Sequence, residues 1–169
     1  MKQNKLSILF PYQDEVTYRE IPEETDGEDE LLDLLHREPL KVLRREDIAR
    51  LLGEDPDRVF KTLVTVGRPQ RYYVFVIPVN TELNLKKAAA AAGEKSVSMI
   101  PQRDLLPLTG YVHGGCSPIG MKKRFPSFIH QSAAGFDTIC VSAGRVGCQA
   151  ELSPADLIRV AELRTADLV

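Results

Sequence analysis

Residues 109–123 read Thr109-Gly110-Tyr111-Val112-His113-Gly114-Gly115-Cys116-Ser117-Pro118-Ile119-Gly120-Met121-Lys122-Lys123. This stretch cannot be a regular helix, because glycine is conformationally free and proline has no N–H to give. Gly114 and Gly115 allow positive φ and a close approach of the backbone to a ligand. Successive N–H groups in such a turn form a concavity for an anion or a carbonyl oxygen. Lys122 and Lys123 follow at once, so negative charge would be welcome nearby. The other reading is a tight glycine turn between strands with solvated lysines, and glycine spacing alone does not choose between the two.

Outward from this loop the chain alternates short strands and helices. Phe60–Val66 reads as a strand. Tyr72–Val79 is nearly all apolar, as in a strand buried on both faces. The two are expected to pair antiparallel at the sheet centre. Thr81 is expected to cap a helix that runs to Ala92 and ends at Gly93. Ser96–Ile100 reads as a strand and Pro101–Leu105 as a helical turn. Beyond the loop, Phe128–His130, Thr138–Ser142 and Cys148–Leu152 read as strands, with a tight turn at Ala143-Gly144. Ser153-Pro154 opens a last helix through Leu163. Upstream, Lys5–Phe10 and Val16–Ile21 read as strands, Leu31–Leu35 as an apolar helical face, and Leu40–Arg45 is ambiguous. Glu46–Leu52 reads as a short helix closed by Gly53, and Asp55 caps a turn with Pro56 at its first position. This order predicts an α/β or α+β fold with a mixed sheet.

The chain has 169 residues and a net charge of −2, so the whole molecule carries no strong field for nucleic acid and any RNA contact must be a local basic patch. Its three cysteines, Cys116, Cys140 and Cys148, are expected to be reduced thiols in the cytoplasm, and their spacing makes no zinc site. No apolar run is long enough to span a bilayer, so no membrane partner is expected.

Several separated motifs resemble the YbaK family, which includes the editing domain of prolyl-tRNA synthetase and free-standing aminoacyl-tRNA deacylases. Val59-Phe60-Lys61-Thr62-Leu63 resembles its lysine-bearing strand. Leu83-Asn84-Leu85-Lys86-Lys87-Ala88-Ala89 resembles its L-D-L-K-K-A helix. Leu105-Leu106-Pro107-Leu108 leads into the glycine signature, and Ile139-Cys140-Val141-Ser142-Ala143-Gly144 resembles its V-S-A-G turn. The resemblance implies a single domain over residues 1–169 with residues 1–46 divergent. It also implies a mixed, largely antiparallel, barrel-like central sheet with peripheral helices.

It further implies a site in which Lys61, Gly114, Gly115 and Ser142 act on the substrate while Thr62, Tyr111, Ser117, Pro118 and Gly144 bind it. Lys61 would hold a terminal phosphate or ribose, or stabilise the developing oxyanion. Tyr111 would stack on the terminal adenosine or close the pocket, or else be a core-edge aromatic. Relatives carry aliphatic residues at the position of Cys116, and no nucleophile elbow surrounds it. His113 reads as a rim residue, and His36 and His130 as structural or exposed. No metal or cofactor is expected.

An aminoacyl-tRNA is an activated ester, and a cysteinyl one brings its own thiol. The resemblance therefore implies a trans-acting deacylase of mischarged Cys-tRNA(Pro), working with prolyl-tRNA synthetase and assisted by the substrate thiol. The alternatives are the same reaction on Ala-tRNA(Pro), or a non-catalytic tRNA- or protein-binding module. The chain departs from many relatives at Arg145-Val146, where they carry a Lys-Arg pair, and at Gln149, which is acidic in some.

Overall fold

A computed structural model describes residues 7–12, 15–20, 41–43, 55–145 and 149–169. β1 (Ser7–Tyr12), β2 (Glu15–Glu20) and β3 (Lys41–Leu43) pair antiparallel in the order β1-β2-β3. A 3-10 turn, Pro56–Arg58, is capped by the Asp55 carboxylate on the Asp57 N–H and leads into β4 (Phe60–Gly67) and β5 (Arg71–Pro78). Next come α1 (Leu85–Ala92), the two-residue β6 (Ser98–Met99), α2 (Gln102–Thr109), the glycine loop and β7 (Ser127–His130). The described chain closes with β8 (Ile139–Ser142), β9 (Gln149–Leu152), α3 (Pro154–Ala161) and β10 (Leu163–Ala166).

The main sheet runs β10-β7-β5-β4-β6. β4 lies antiparallel to β5 and β6, while β7 lies parallel to β5 and β10. The fold is thus α+β with a mixed sheet and three helices among the described residues, and half of the main sheet's strand pairings are parallel. β8 and β9 form an antiparallel hairpin that touches the main sheet through a parallel bridge between Val59 and Cys140. Among the described residues the strands do not close into a barrel. The expected helices at 31–35 and 46–52 lie outside the described residues.

β5 occupies the middle, as its apolar run predicts. Val74, Phe75, Val76 and Ile77 are all fully buried, and such side chains each contribute about 1.5–3 kcal/mol of transfer free energy. Alternation sends them to two faces. Phe75 and Ile77 pack with Phe128, Ala88 and Ala89 under α1. Val76 packs with Phe60, Ile129, Val141 and Leu157, towards the β8–β9 hairpin and α3. On that same face Val64 and Val74 meet Leu105 and Cys116, so the glycine loop has its own small core.

Three helix boundaries differ from expectation. Asn84 caps α1 in place of Thr81, its side chain accepting from the Lys86 and Lys87 N–H groups, while the Thr81 hydroxyl donates to the Pro78 carbonyl in the preceding turn. α2 continues through Pro107 to Thr109. Its end is completed by the Thr109 hydroxyl, which donates to the Leu105 carbonyl at 2.7 Å, and by the Gly110 N–H on Leu106. α3 stops at Ala161, because Glu162 takes φ +53° and turns Leu163 into β10 beside β7.

Candidate functional site

The glycine loop is tied shut at its base. Thr109 receives the Tyr111 N–H on its hydroxyl at 3.0 Å and the Lys122 N–H on its carbonyl at 2.8 Å. Gly110 leaves α2 at φ +82° and Gly114 turns the loop at φ +86°. The Gly115 N–H donates to the Val112 carbonyl at 3.0 Å, and the Ser117 hydroxyl accepts the Ile119 N–H at 3.2 Å around Pro118. Gly115, Cys116, Ser117 and Pro118 are buried. Gly115 therefore builds the turn, its donor already engaged. The N–H groups of Gly114, Cys116 and Ser117 have no acceptor among the described residues. Of the expected Gly114–Gly115 pair, the Gly115 N–H is thus engaged within the turn and the Gly114 N–H is not.

Tyr111 joins this loop to the β8–β9 turn. Its hydroxyl donates to the Ile119 carbonyl at 2.6 Å, and its ring packs on the loop's core. A Cβ placed on Gly144, at φ +93°, would sit 2.9 Å from the Tyr111 Cε1. One placed on Gly120, at φ +72°, would sit 3.0 Å from the Tyr111 hydroxyl oxygen. Both positions thus require glycine for conformation and for space. The Tyr111 hydroxyl and ring edge are committed to the protein, which favours closing the pocket over stacking. Ser142, half-buried at the end of β8, accepts the Gly144 N–H on its hydroxyl at 3.4 Å.

Lys61 and Thr62 stand on β4 opposite Ile77 and Val76. β4 pairs with β6 only at Thr65 and Val66, while β8 lies beside its first half, bridged to the chain at Val59. On that edge residues 61–63 make no ladder pairing with another strand among the described residues, which leaves a notch between β6 and the Val59 bridge. The Val59–Cys140 register, continued along both chains, brings Ser142 level with Lys61. The half-buried Lys61 ammonium donates to the Val79 carbonyl at 3.2 Å. Alternation puts Thr62 on the other face, between Phe60 and Val64, where its hydroxyl is buried without a hydrogen-bond partner. An orphan hydroxyl of that kind costs about 1–3 kcal/mol. Lys61 and Cys116 therefore approach the notch from opposite faces of the sheet, and the Ser142–Gly144 turn lies at its end.

A latch fixes the open end of the β8–β9 hairpin, opposite that turn. Arg58, just before β4, donates through Nε to the Thr138 carbonyl at 3.0 Å and through one terminal nitrogen, Nη2, to both the Thr138 hydroxyl and the Glu151 carboxylate, the last at 2.7 Å. The Thr138 hydroxyl also donates to Glu151 at 2.6 Å. Sequence reasoning missed Arg58, because its partners lie 80 and 93 residues away.

The Cys116 thiol is buried in the loop's small core. Burial among Val64, Val74 and Leu105 pushes its thiol up to about 11, against a smaller opposing effect of the Thr109 hydroxyl, and the thiolate is the reactive form. Cys140 is buried beside Val59. His130 is structural: its Nδ1 accepts the Leu168 N–H at 3.1 Å, and desolvation holds its pKa below the usual value. His113 is half-buried at the loop, and His36 lies outside the described residues. Among the described residues no cluster of His, Cys, Asp or Glu could hold a metal, and no helix is long and apolar enough to cross a membrane.

Residues 41–160 match the family model described as an aminoacyl-tRNA editing domain. A protein of Enterococcus faecalis named "Putative Cys-tRNA(Pro)/Cys-tRNA(Cys) deacylase EbsC" is 47% identical over 126 residues, covering 75% of this chain and 77% of that protein. A proline--tRNA ligase of Thermosipho melanesiensis is 29% identical over 96 residues, covering 57% of this chain but 16% of the ligase. A solved structure described as a "putative trans-editing enzyme for prolyl tRNA synthetase" shares the fold at a TM-score of 0.66 and 23% identity, covering 73% of this chain and 77% of that one.

Proposed function

Because this chain belongs to the aminoacyl-tRNA editing domain family and is an aminoacyl-tRNA hydrolase, we propose that it clears Cys-tRNA(Pro) in trans, with the cysteinyl thiol of the substrate as the attacking group. The observation that carries the mechanism is the character of the glycine loop. It offers free backbone N–H groups, while its one thiol is buried and held protonated.

In this reading the terminal adenosine enters the notch beside β4, with its ester carbonyl directed at the N–H groups of Gly114, Cys116 and Ser117. The substrate thiolate forms a C–S bond to that carbonyl carbon, and negative charge collects on the carbonyl oxygen. Preorganised donors at that oxygen stabilise the transition state. The C–O ester bond then breaks, and the ribose oxygen leaves as a hydroxyl after taking a proton. Water opens the strained thioester ring to release cysteine. Lys61 binds the ribose or terminal phosphate, or the oxyanion itself. The unpartnered Thr62 hydroxyl and the Ser142 hydroxyl hold the aminoacyl end. Tyr111, Ser117, Pro118 and Gly144 shape the wall, and Gly115 holds the turn that aims the loop. The similarity to proline--tRNA ligases supports work alongside that enzyme, receiving what it mischarges.

Deacylation of Cys-tRNA(Pro), Ala-tRNA(Pro) and Pro-tRNA(Pro) tests the reading. Cysteine should be released and proline spared. Preferential release of alanine would overturn the amino acid assignment, and release of neither would overturn the editing role on tRNA(Pro).

A further inference from the structure

Several cations of the described residues are paired with carboxylates, while one group beside the loop is not. Arg58 pairs with Glu151, Lys87 with Asp167, Arg159 with Asp156 and Arg124 with Glu162. Lys122, Lys123 and Arg145 are exposed and have no carboxylate partner among the described residues.

Their backbones are held in place. The Lys122 N–H is bonded to the Thr109 carbonyl at 2.8 Å, and its Cβ lies 3.6 Å from where a Cβ on Gly110 would stand. Arg145 directly follows Gly144, and Lys122 lies just beyond Gly120. A Cβ on either glycine would meet Tyr111, at the hydroxyl for Gly120 and at the ring for Gly144, so the cations follow two segments that converge on this tyrosine, the loop on one side and the β8–β9 turn on the other.

We propose that Lys122, Lys123 and Arg145 form the landing surface for the phosphates of the tRNA acceptor end, steering its terminal ester into the notch. The inference rests on the deacylase reading of the site. A chain of net charge −2 has no general attraction for a polyanion, so binding must be local. Lysines on a pinned backbone supply point charges, and arginine supplies a fork suited to phosphate.

Uncharged tRNA(Pro) is the probe, and its binding is read by fluorescence anisotropy across a salt series. The proteins are the wild type, the double variant Lys122→Ala/Lys123→Ala, Arg145→Ala, and the charge-preserving Lys122→Arg/Lys123→Arg. The double alanine variant should bind at least about tenfold more weakly at low salt, and the slope of log K against log salt should fall by roughly 0.7–0.9 for each phosphate that is no longer neutralised. The arginine pair should restore both. With Cys-tRNA(Pro), KM should rise while kcat stays within about twofold. An unchanged Kd and slope would overturn the proposal even where the wild type deacylates. A wild type that binds with the expected salt slope but does not deacylate would leave the surface standing and remove the catalytic reading. Loss of prolyl-tRNA synthetase binding, with tRNA binding intact, would also overturn it by assigning the patch to a protein partner.

Discussion

β5 and the glycine loop are built on opposite principles. β5 is paired along both edges, antiparallel to β4 and parallel to β7, and its residues 74–77 are packed from both faces. Its position is redundantly determined, so altering one side chain leaves many others to hold it. The loop from Gly110 to Gly120 contains no regular strand or helix. It is held by Thr109 at its base, two tight turns and one tyrosine ring. Each of these constraints has no substitute. Changes in β5 should therefore be read out as stability, and changes around the loop as activity.

Lys61 tests this division most severely, because it stands on the sheet at the level of the notch. Lys61→Ala should lower single-turnover deacylation by on the order of 100-fold or more, the usual effect of removing one donor from a developing oxyanion, with little change in melting temperature. Wild-type activity in that variant would remove the lysine from the chemistry. A large loss of stability would return it to the sheet's architecture.

Gly144→Ala comes next. A side chain there meets Tyr111 and holds a left-handed backbone, a strain of about 1–3 kcal/mol. The expected result is roughly tenfold lower activity with a lower melting temperature, and partial rescue by Tyr111→Leu, which removes the ring edge it strikes. An unaffected Gly144→Ala would mean that the turn and the loop move independently.

Arg58→Ala probes the latch. Its bonds are partly exposed, so the stability cost should be about 1 kcal/mol. Activity should fall several-fold through kcat, because the β8–β9 hairpin that carries the Ser142–Gly144 turn loses the anchor at its open end. Arg58→Lys should recover little, since a lysine cannot reproduce the two-sided fork on Thr138 and Glu151. Equal activity at full stability would show that the hairpin needs no latch.

Cys116→Ala should have the smallest effect on activity, within about twofold, with a stability loss on the order of 1 kcal/mol from the void under the loop. The pH profile sharpens this. A Cys116 nucleophile would drive the rate upward until about pH 11, where its thiol ionises. A substrate thiol should bring the rise to an end near the ordinary cysteine value of about 8.5.

How much of this could be read from residues follows the same division. β4 and β5 were legible because burial on two faces writes a continuous apolar run. Gly144 and Gly114 were legible because a positive φ selects glycine. β10 was not, because Arg164 and Thr165 are exposed and Glu162 occupies the left-handed position where a glycine would have announced the stop of α3. The cap at Asn84 lost to Thr81 in the sequence because both are good N-cap residues, and only the Pro78–Thr81 turn decides between them. The engagement of the Gly115 N–H and the reach of Arg58 to Thr138 depend on how distant backbones meet, which no local pattern encodes.

The central claim is that the substrate supplies the nucleophile to a site built from backbone donors, Lys61 and a tyrosine-clamped turn. Single-turnover hydrolysis of Cys-tRNA(Pro) and Ser-tRNA(Pro) at saturating enzyme tests it most directly. Serine is of similar size, so both esters should bind, but its hydroxyl is far less ionised near neutral pH than a thiol. Rapid loss of the cysteinyl ester with the seryl ester largely intact is the predicted result. Comparable rates would contradict the account and assign the attack to water.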